Sequence, residues 1–145
     1  MKVYIAGPLC LEKEREFLEK IDSMCKKLGL KTFLPHRECG LWKEGANIKK
    51  IAKGDLEGFN GCDFLIANLN GFNIGAGTAW EMGYAFAKGI PVIAIKTDRK
   101  KEDSIEEISA IIYGSTKITS SLNELEKEIG KLINALKKNK SPNIP

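Results

Sequence analysis

The segment from Asp63 to Thr97 constrains the fold of this chain more than any other. It reads DFLIANLNGFNIGAGTAWEMGYAFAKGIPVIAIKT, and its two short apolar runs, Phe64–Leu69 and Pro91–Ile95, flank a glycine-rich loop and a helical pattern that begins at about Thr78. Short apolar runs on either side of a helix are typical of two buried parallel strands joined by a crossover helix. The segment therefore predicts a βαβ unit.

The rest of the chain continues this alternation of strands and helices. Apolar runs bounded by turn residues predict three more strands, at Lys2–Ala6, Lys31–Leu34 and Thr116–Thr119. Apolar residues at helical spacing predict further helices at Glu12–Leu28, Asn47–Gly61, Asp103–Tyr113 and Ser120–Lys138. Together they indicate an α/β fold: a doubly wound, flavodoxin-like sheet of five parallel strands in the order 2-1-3-4-5, with helices on both faces. We expect one domain over residues 1–140 and a frayed tail at 141–145.

Composition narrows the classes of function. The four cysteines, Cys10, Cys25, Cys39 and Cys62, form no C-x-x-C pair, so we expect reduced thiols and neither a zinc site nor a redox motif. The basic excess of 23 over 19 acidic residues is concentrated in Lys131–Lys140 without interleaved aromatic residues, which argues against a nucleic-acid polymer as partner. No signal segment or long apolar run is visible, so we expect a cytoplasmic protein without membrane contact.

The predicted topology also indicates where a ligand would bind. In open α/β sheets, ligands lie beyond the carboxyl ends of the strands at the point where the strand order reverses, here between the first and third strands. This position brings together Tyr4–Gly7 on one side and Asn68–Gly77 with Glu81 on the other. His36, at the end of the second strand, is a pocket candidate or a satisfied loop residue. Trp42, in the following loop, could stack on a planar ring or close over the core. No G-x-G-x-x-G fingerprint or Walker loop is present, which argues against dehydrogenases and P-loop enzymes.

Two interpretations of Glu81 follow from the pattern. The tetrapeptide Thr78-Ala79-Trp80-Glu81 fits a capping box, in which the glutamate bonds back to the cap residue. Alternatively, a carboxylate beside glycines at a helix N-terminus is kept ionised by the helix dipole and can act as a nucleophile. Asp55, within a predicted helix, would by pattern alone be an exposed helical aspartate.

Four segments together resemble one known superfamily. They are Tyr4-Ile5-Ala6-Gly7-Pro8, Asp55-Leu56, Asp63 and the nonapeptide GTAWEMGYA from Gly77 to Ala85. These residues resemble the nucleoside 2-deoxyribosyltransferase superfamily, which includes the 2′-deoxynucleoside 5′-phosphate N-hydrolases, and the resemblance extends over roughly Lys2 to Leu136. The nonapeptide is its most specific part.

The resemblance implies a covalent mechanism that needs no metal or cofactor. By it, Glu81 attacks C1′ of a 2′-deoxyribosyl group, the base departs, and water or a second base resolves the ester. Asp55 matches the aspartate that protonates the departing base, and Tyr4 matches the tyrosine that holds the nucleophile. The superfamily also implies a homodimer or higher oligomer with shared active sites.

Two departures from the transferase pattern concern the 5′ end of the sugar. The classical transferases carry an aspartate where this chain has Gly75, and their asparagine from a neighbouring subunit aligns with Ser109. A serine hydroxyl and the N–H groups around Gly75 and Gly77 suit a phosphate better than a free 5′-hydroxyl. The resemblance therefore implies hydrolysis of a 2′-deoxynucleoside 5′-monophosphate, with base exchange between free deoxynucleosides as the alternative. The N-hydrolases' own serine before the nucleophile is a glycine here, so Lys13 or Arg15 would have to supply a phosphate contact.

Two hypotheses without chemistry also fit the fold. A nucleotide-binding sensor has no need of a nucleophile such as Glu81. A purely structural subunit leaves the glycine-rich loop unexplained.

Overall fold

The computed structural model, which describes residues 1–100, 103 and 107–140, contains one parallel sheet in the order β2-β1-β3-β4-β5. This confirms the predicted fold class and strand order. The strands are β1 Lys2–Ala6, β2 Lys31–Phe33, β3 Phe64–Asn68, β4 Val92–Ile95 and β5 Lys117–Thr119.

Helices cover both faces of the sheet. They are α1 Glu12–Lys27, α2 Pro35–Glu38, α3 Ile48–Gly58, α4 Ala76–Ala87, α5 Ala110–Ser115 and α6 Leu122–Lys140. Successive side chains of a strand point to opposite faces. Val3 and Ile5 accordingly pack with the apolar residues of α1 and α6, whereas Tyr4 and Ala6 join the cluster that includes residues of α4. This alternation divides the residues of β1 between the two faces of the sheet.

The carboxyl ends of the central strands lie level with one another. Ala6 of β1 is in register with Ala67 of β3, and Asn68 is in register with Ile95 of β4. The chain leaves β1 toward α1 on one face and leaves β3 toward α4 on the other. The connections therefore diverge between β1 and β3 and open the crevice that this topology predicts.

Two helix starts differ from the sequence prediction. Pro35 begins the short helix α2, where a loop was expected, because proline at a first helical position supplies the required φ and has no N–H to satisfy. Helix α4 begins at Ala76 with Gly75 as its N-cap residue, two positions before the predicted start. Thr78 is therefore a buried residue inside the helix, and the capping box expected for Thr78 and Glu81 does not form.

The remaining boundaries agree to within a few residues, apart from α5. This helix begins at Ala110, later than the predicted Asp103. Residues 104–106 of that predicted helix and the predicted frayed tail at 141–145 lie outside the described residues. The structure contains the four cysteines as free thiols. Within the described part of the chain, no helix combines the length and apolar character that crossing a bilayer requires.

Candidate active site

A short hydrogen bond joins β1 to α4 at the predicted crevice. The Tyr4 hydroxyl donates to Glu81 Oε1 at 2.6 Å. The Tyr4 ring is buried and stacked between Phe33 and Phe59, at centroid distances of 5.1 and 4.2 Å. These ring contacts hold the Tyr4 side chain in place, and its hydroxyl fixes one oxygen of the Glu81 carboxyl group.

A cavity of about 260 Å³ lies beside this hydrogen bond. Its lining combines two carboxyl groups with mainly apolar and aromatic surface: Ala52, Asp55, Leu56, Phe59, Gly77, Trp80 and Glu81. A mostly apolar hollow with a few convergent polar groups is the usual form of a small-molecule site. The structure thus brings Glu81, Asp55 and, through its hydroxyl, Tyr4 to one place.

The environment of Glu81 favours its neutral form more than water does. Burial raises the pKa of Glu81 to about 7; the hydrogen bond from Tyr4 opposes this shift, and the negative charge of Asp55 adds to it. Near neutral pH this carboxyl group therefore exchanges its proton readily, and the Tyr4 hydroxyl stabilises the ionised form. Burial and the charge of Glu81 in turn raise the pKa of Tyr4, which keeps its proton.

Asp55, on α3, is the second carboxyl group of the cavity, so it is not the exposed helical aspartate that its position alone suggests. Burial raises the pKa of Asp55, and a hydrogen bond with the Cys39 side chain opposes the shift. Its Oδ1 is buried without a hydrogen-bond partner among the described residues. Buried polar atoms are nearly always paired, so an orphaned oxygen in a cavity suits a group that meets its partner in the ligand.

Two glycines explain how α3 brings Asp55 to this position. A Cβ atom added at Gly58 would lie 2.5 Å from the Phe33 ring, and one added at Gly54 would lie 2.6 Å from Cys39 Sγ. Only residues without a side chain allow α3 to approach β2 and the end of α2 so closely. These two glycines therefore set the distance at which α3 packs.

Glycine is also required at the start of the crevice. A Cβ atom at Gly7 would lie 2.7 Å from Leu18 Cδ2 and 3.0 Å from Asn68 Cβ. Asn68 itself is buried, and its Oδ1 accepts the N–H of Asn70. These contacts give both predicted substrate-binding residues a structural role, and their contact with a substrate stays a prediction.

The loop before α4 ends in a helix start without a side-chain cap. Gly75 is the N-cap residue and makes no side-chain hydrogen bond, and the first turn of α4 carries no acidic residue. The first N–H groups of a helix have no partner within the helix. This end of α4 therefore offers N–H donors and a positive dipole end close to Gly77 and the cavity.

Three other predicted binding residues lie away from the cavity. His36 Nε2 pairs with Glu19 Oε1 of α1 at 2.9 Å. Trp42 is 80% exposed, so it does not close over the core. Ser109 lines a separate groove of about 350 Å³ between α4 and α5, together with Phe86. Their roles in substrate binding stay predictions.

Two residues near the site escaped the sequence analysis. Cys39 was considered only as a thiol, yet it contacts Asp55. Lys96 was read only as part of the central segment, yet its side chain is fully buried at the edge where ligands are expected. A charged residue directly after an apolar strand was the one available signal for Lys96. Among the described residues, no cluster of histidine, cysteine or carboxylate side chains could hold a metal ion.

The arrangement suits displacement at a carbon that bears a leaving group. A held carboxylate can attack, and a second carboxyl group with a raised pKa can protonate the departing atom. No third group is needed. When the intermediate is resolved, the residue that gave a proton can take one back, and the residue that attacked can depart as the leaving group.

Comparison with known proteins places this site in context. The profile of the family described as nucleoside 2-deoxyribosyltransferase matches residues 3–135. No curated protein sequence matches the chain significantly.

Among solved structures, a conserved protein from Enterococcus faecalis is 28% identical with a TM-score of 0.71, over 90% of this chain and 98% of that one. The 2-deoxyribosyltransferase from Bacillus psychrosaccharolyticus is 23% identical with a TM-score of 0.73, over 91% of this chain and 96% of its own. A CMP N-glycosidase from Clostridium botulinum is 18% identical with a TM-score of 0.62, over 90% and 98%. At these identities the last two show a shared fold.

Proposed function

Because the chain belongs to the nucleoside 2-deoxyribosyltransferase family, and is thus an enzyme of N-glycosidic bonds, we propose that it hydrolyses 2′-deoxynucleoside 5′-monophosphates through a covalent ester on Glu81. The observation that carries the proposal is the 2.6 Å hydrogen bond from the Tyr4 hydroxyl to Glu81, beside a cavity that Asp55 also lines.

In the first step, Glu81 is the nucleophile. Its carboxylate oxygen forms a bond to C1′ as the bond from C1′ to the base nitrogen breaks. The proton of the Asp55 carboxyl group passes to the base, which leaves as a neutral molecule. The Tyr4 hydroxyl holds one carboxylate oxygen, so that the other is free to attack.

In the second step, water resolves the ester. Asp55, now ionised, takes a proton from the water as its oxygen bonds to C1′, and the bond to Glu81 breaks. The products are the free base and 2-deoxyribose 5-phosphate, and both carboxyl groups return to their initial protonation. Burial raises the pKa of Asp55, which is the direction that a proton donor requires, and it raises the pKa of Glu81 to about 7, so that Glu81 is partly ionised near neutral pH.

The start of α4 supports the choice of a 5′-monophosphate. Gly75 places no carboxylate there, and a carboxylate would repel a phosphate. The free N–H groups and the positive dipole end of α4 are suitable partners for an anion. A relative of the same fold is a CMP N-glycosidase, a name that joins a nucleoside monophosphate to N-glycosidic cleavage.

A further phosphate contact has to come from elsewhere. The Arg15 guanidinium donates to the carbonyls of Leu9 and Cys10, at 2.6 and 3.2 Å, and so holds the loop before α1. Lys13 is not used to hold this loop, and it lines a cleft with Asn68. We therefore assign Lys13, rather than Arg15, to the phosphate. Ser109 lies outside the cavity of its own chain, so its expected contact would come from a neighbouring copy in a homodimer or larger assembly.

The test is a product analysis. The protein is incubated with each 2′-deoxynucleoside and each 5′-monophosphate, with and without a second free base, and the products are separated. We expect free base and deoxyribose 5-phosphate from the monophosphates, and kcat/KM higher for a monophosphate than for its nucleoside. A new nucleoside formed from the added base, with free nucleosides preferred, would instead identify a base-exchanging transferase.

A further inference from the structure

The Lys96 ammonium group, directly after β4, is buried completely and bonded in several directions. Its Nζ lies 2.8 Å from Glu107 Oε2 and 3.0 Å from Asp98 Oδ1, and it donates to the carbonyl oxygens of Leu69 and Gly71 at 3.2 and 3.0 Å. A buried charge is costly unless it is paired and its protons are bonded. An apolar residue here would avoid that cost.

The bonds of Lys96 belong to a larger clamp on the loop that follows β3. The N–H of Gly71 donates to Asp98 Oδ2 at 2.7 Å. The Asn70 side chain donates to Thr97 Oγ1 at 2.9 Å and accepts the Thr97 N–H at 2.7 Å. The loop is therefore held at Leu69, Asn70 and Gly71 in succession by residues that follow β4.

Glu107, an ion-pair partner of Lys96, lies in the segment just before α5. Glu107 binds Arg99 at 2.8 Å through its second oxygen, so its carboxylate is paired on both sides. Ile108, the next residue, is buried in the cluster shared with α4, and Ser109 is the N-cap residue of α5, without a side-chain capping bond. Lys96 thus connects the loop before α4 to the segment that enters α5.

We propose that Lys96 is a positioning residue that sets the affinity of the site for the 5′ end of its substrate. The inference rests on the proposed function: the clamped loop continues to Gly75 and to the N–H groups at the start of α4, which are the expected anion donors. Lys96 touches no reacting atom. It fixes the backbone that presents these donors. Moving the buried ammonium group away from its partners would cost free energy, so the loop is held in one arrangement.

The test compares Lys96→Met with Arg99→Met. The second variant also removes a cation from Glu107 but leaves every bond to the loop in place, so it is a matched control. For the monophosphate we expect Lys96→Met to raise KM about tenfold or more while kcat changes much less. The variant loses the arrangement of the N–H donors that bind the substrate but keeps the nucleophile Glu81. Arg99→Met should leave both constants near those of the wild type.

Hydrogen exchange gives a readout that requires no substrate. In Lys96→Met the amides of residues 70–77 should exchange faster than in the wild type, and in Arg99→Met they should not. A folded Lys96→Met protein with unchanged KM and unchanged exchange overturns the inference. If Lys96→Met does not fold, Glu107→Gln replaces it, since this change weakens the same clamp while the side-chain shape is kept. A Glu107→Gln protein with wild-type KM and exchange is equally decisive against the inference.

The outcome is separable from that of the proposed function. If the wild type prefers free deoxynucleosides, the choice of monophosphate is wrong. The positioning role is then judged by KM for the nucleoside and by exchange in residues 70–77.

Discussion

At the residue scale, the hydrogen bond between Tyr4 and Glu81 makes the two suggested roles of Glu81 separable. The carboxyl group bonds to Tyr4 instead of capping its own helix, so its removal does not weaken the start of α4. We expect Glu81→Gln to fold normally and to lose activity by about a thousandfold or more, because a carboxamide cannot form the ester. Steady-state turnover is the measurement.

The matched control for this variant is Glu57→Gln. Glu57 is an exposed glutamate on α3 whose ion-pair partner among the described residues is Lys53, at 3.7 Å. The same chemical change there should leave turnover unaltered. A Glu81→Gln protein that retains much of the wild-type rate would rule out the covalent mechanism.

The role of Asp55 can be tested through the leaving group. Asp55→Asn keeps the shape of the side chain but has no acidic proton, so we expect a rate loss of about 10²–10⁴-fold with ordinary bases. With a substrate whose leaving group departs without protonation, most of that loss should disappear. Rate measurements on both substrates decide the matter: equal losses would assign Asp55 to binding and not to proton transfer.

At the element scale, the packing of α3 against β2 determines where Asp55 and Tyr4 lie. We expect Gly58→Ala to lower the free energy of unfolding by about 1–3 kcal/mol, since its Cβ atom would lie 2.5 Å from the Phe33 ring. Activity should fall as well, because Phe33 stacks on Tyr4. Chemical denaturation and turnover measure the two effects.

Gly130→Ala, in α6, is the control for this substitution. A Cβ atom there would meet no atom within 4 Å from outside its own stretch of helix in the described part of the chain, so the change should stabilise the protein by up to about 1 kcal/mol through helix propensity alone. Equal stability changes at Gly58 and Gly130 would mean that the contact with Phe33 relaxes without cost.

The elements that could be predicted from the sequence are those whose apolar residues form a continuous run or recur at a regular spacing. The strands β1 and β3 and the helix α1 agree with their predicted ranges to within a residue, because burial on one or both faces dictates their composition. Helix α2 spans only Pro35–Glu38, too short to display a period. Its position depends on Arg37, which bonds both oxygens of buried Asp22 at 3.1 and 3.2 Å, and such a tertiary contact leaves no local signal.

The same distinction applies to the site. Glu81, Asp55 and Tyr4 were identified because they lie in the segments that resemble the superfamily, and the structure places them together. Cys39 and Lys96 were not identified. Their contacts with Asp55 and Glu107 join residues that are well separated in sequence, and no motif marks these pairs. His36 lies near the end of β2 as expected, yet its partner Glu19 on α1 could not be read from the sequence.

At the scale of the whole molecule, the two carboxyl groups of the candidate site contribute to the pH dependence of stability. Burial raises the pKa of Glu81 from 4.5 to about 7 and also raises that of Asp55. The folded state therefore binds these protons more tightly than the unfolded chain does. The resulting stabilisation is fully present below the ordinary pKa and is lost as the pH rises toward 7, by at most about 3 kcal/mol for Glu81.

An opposite shift limits stability at acid pH. Hydrogen bonds from Arg37, Lys26 and Thr32 outweigh the effect of burial and lower the pKa of Asp22 from 3.8 to about 2. Its contribution is present above the ordinary pKa and disappears as the pH falls toward 2. We therefore expect maximum stability on the acid side of neutrality, at about pH 4–5. Denaturation from about pH 3 to about pH 8 measures this curve.

Glu81→Gln makes the origin of the curve testable. The variant should unfold at higher denaturant than the wild type at about pH 8 and differ little at about pH 4, where Glu81 is already neutral. A constant difference across that range would show that the buried charge is not the cause.

The row of aromatic rings in contact that starts at Tyr4 has an optical consequence. From Tyr4 it runs through Phe59 and Tyr84 to Trp80, whose ring is stacked on Tyr84 at 5.3 Å and lines the cavity. The chain has only two tryptophans, and Trp42 does not line that cavity. In a Trp42→Phe protein, tryptophan fluorescence would come from the single indole of Trp80, which lines the cavity. An inactive Glu81→Gln, Trp42→Phe protein would therefore report occupancy of the cavity by an intact substrate, independently of any turnover.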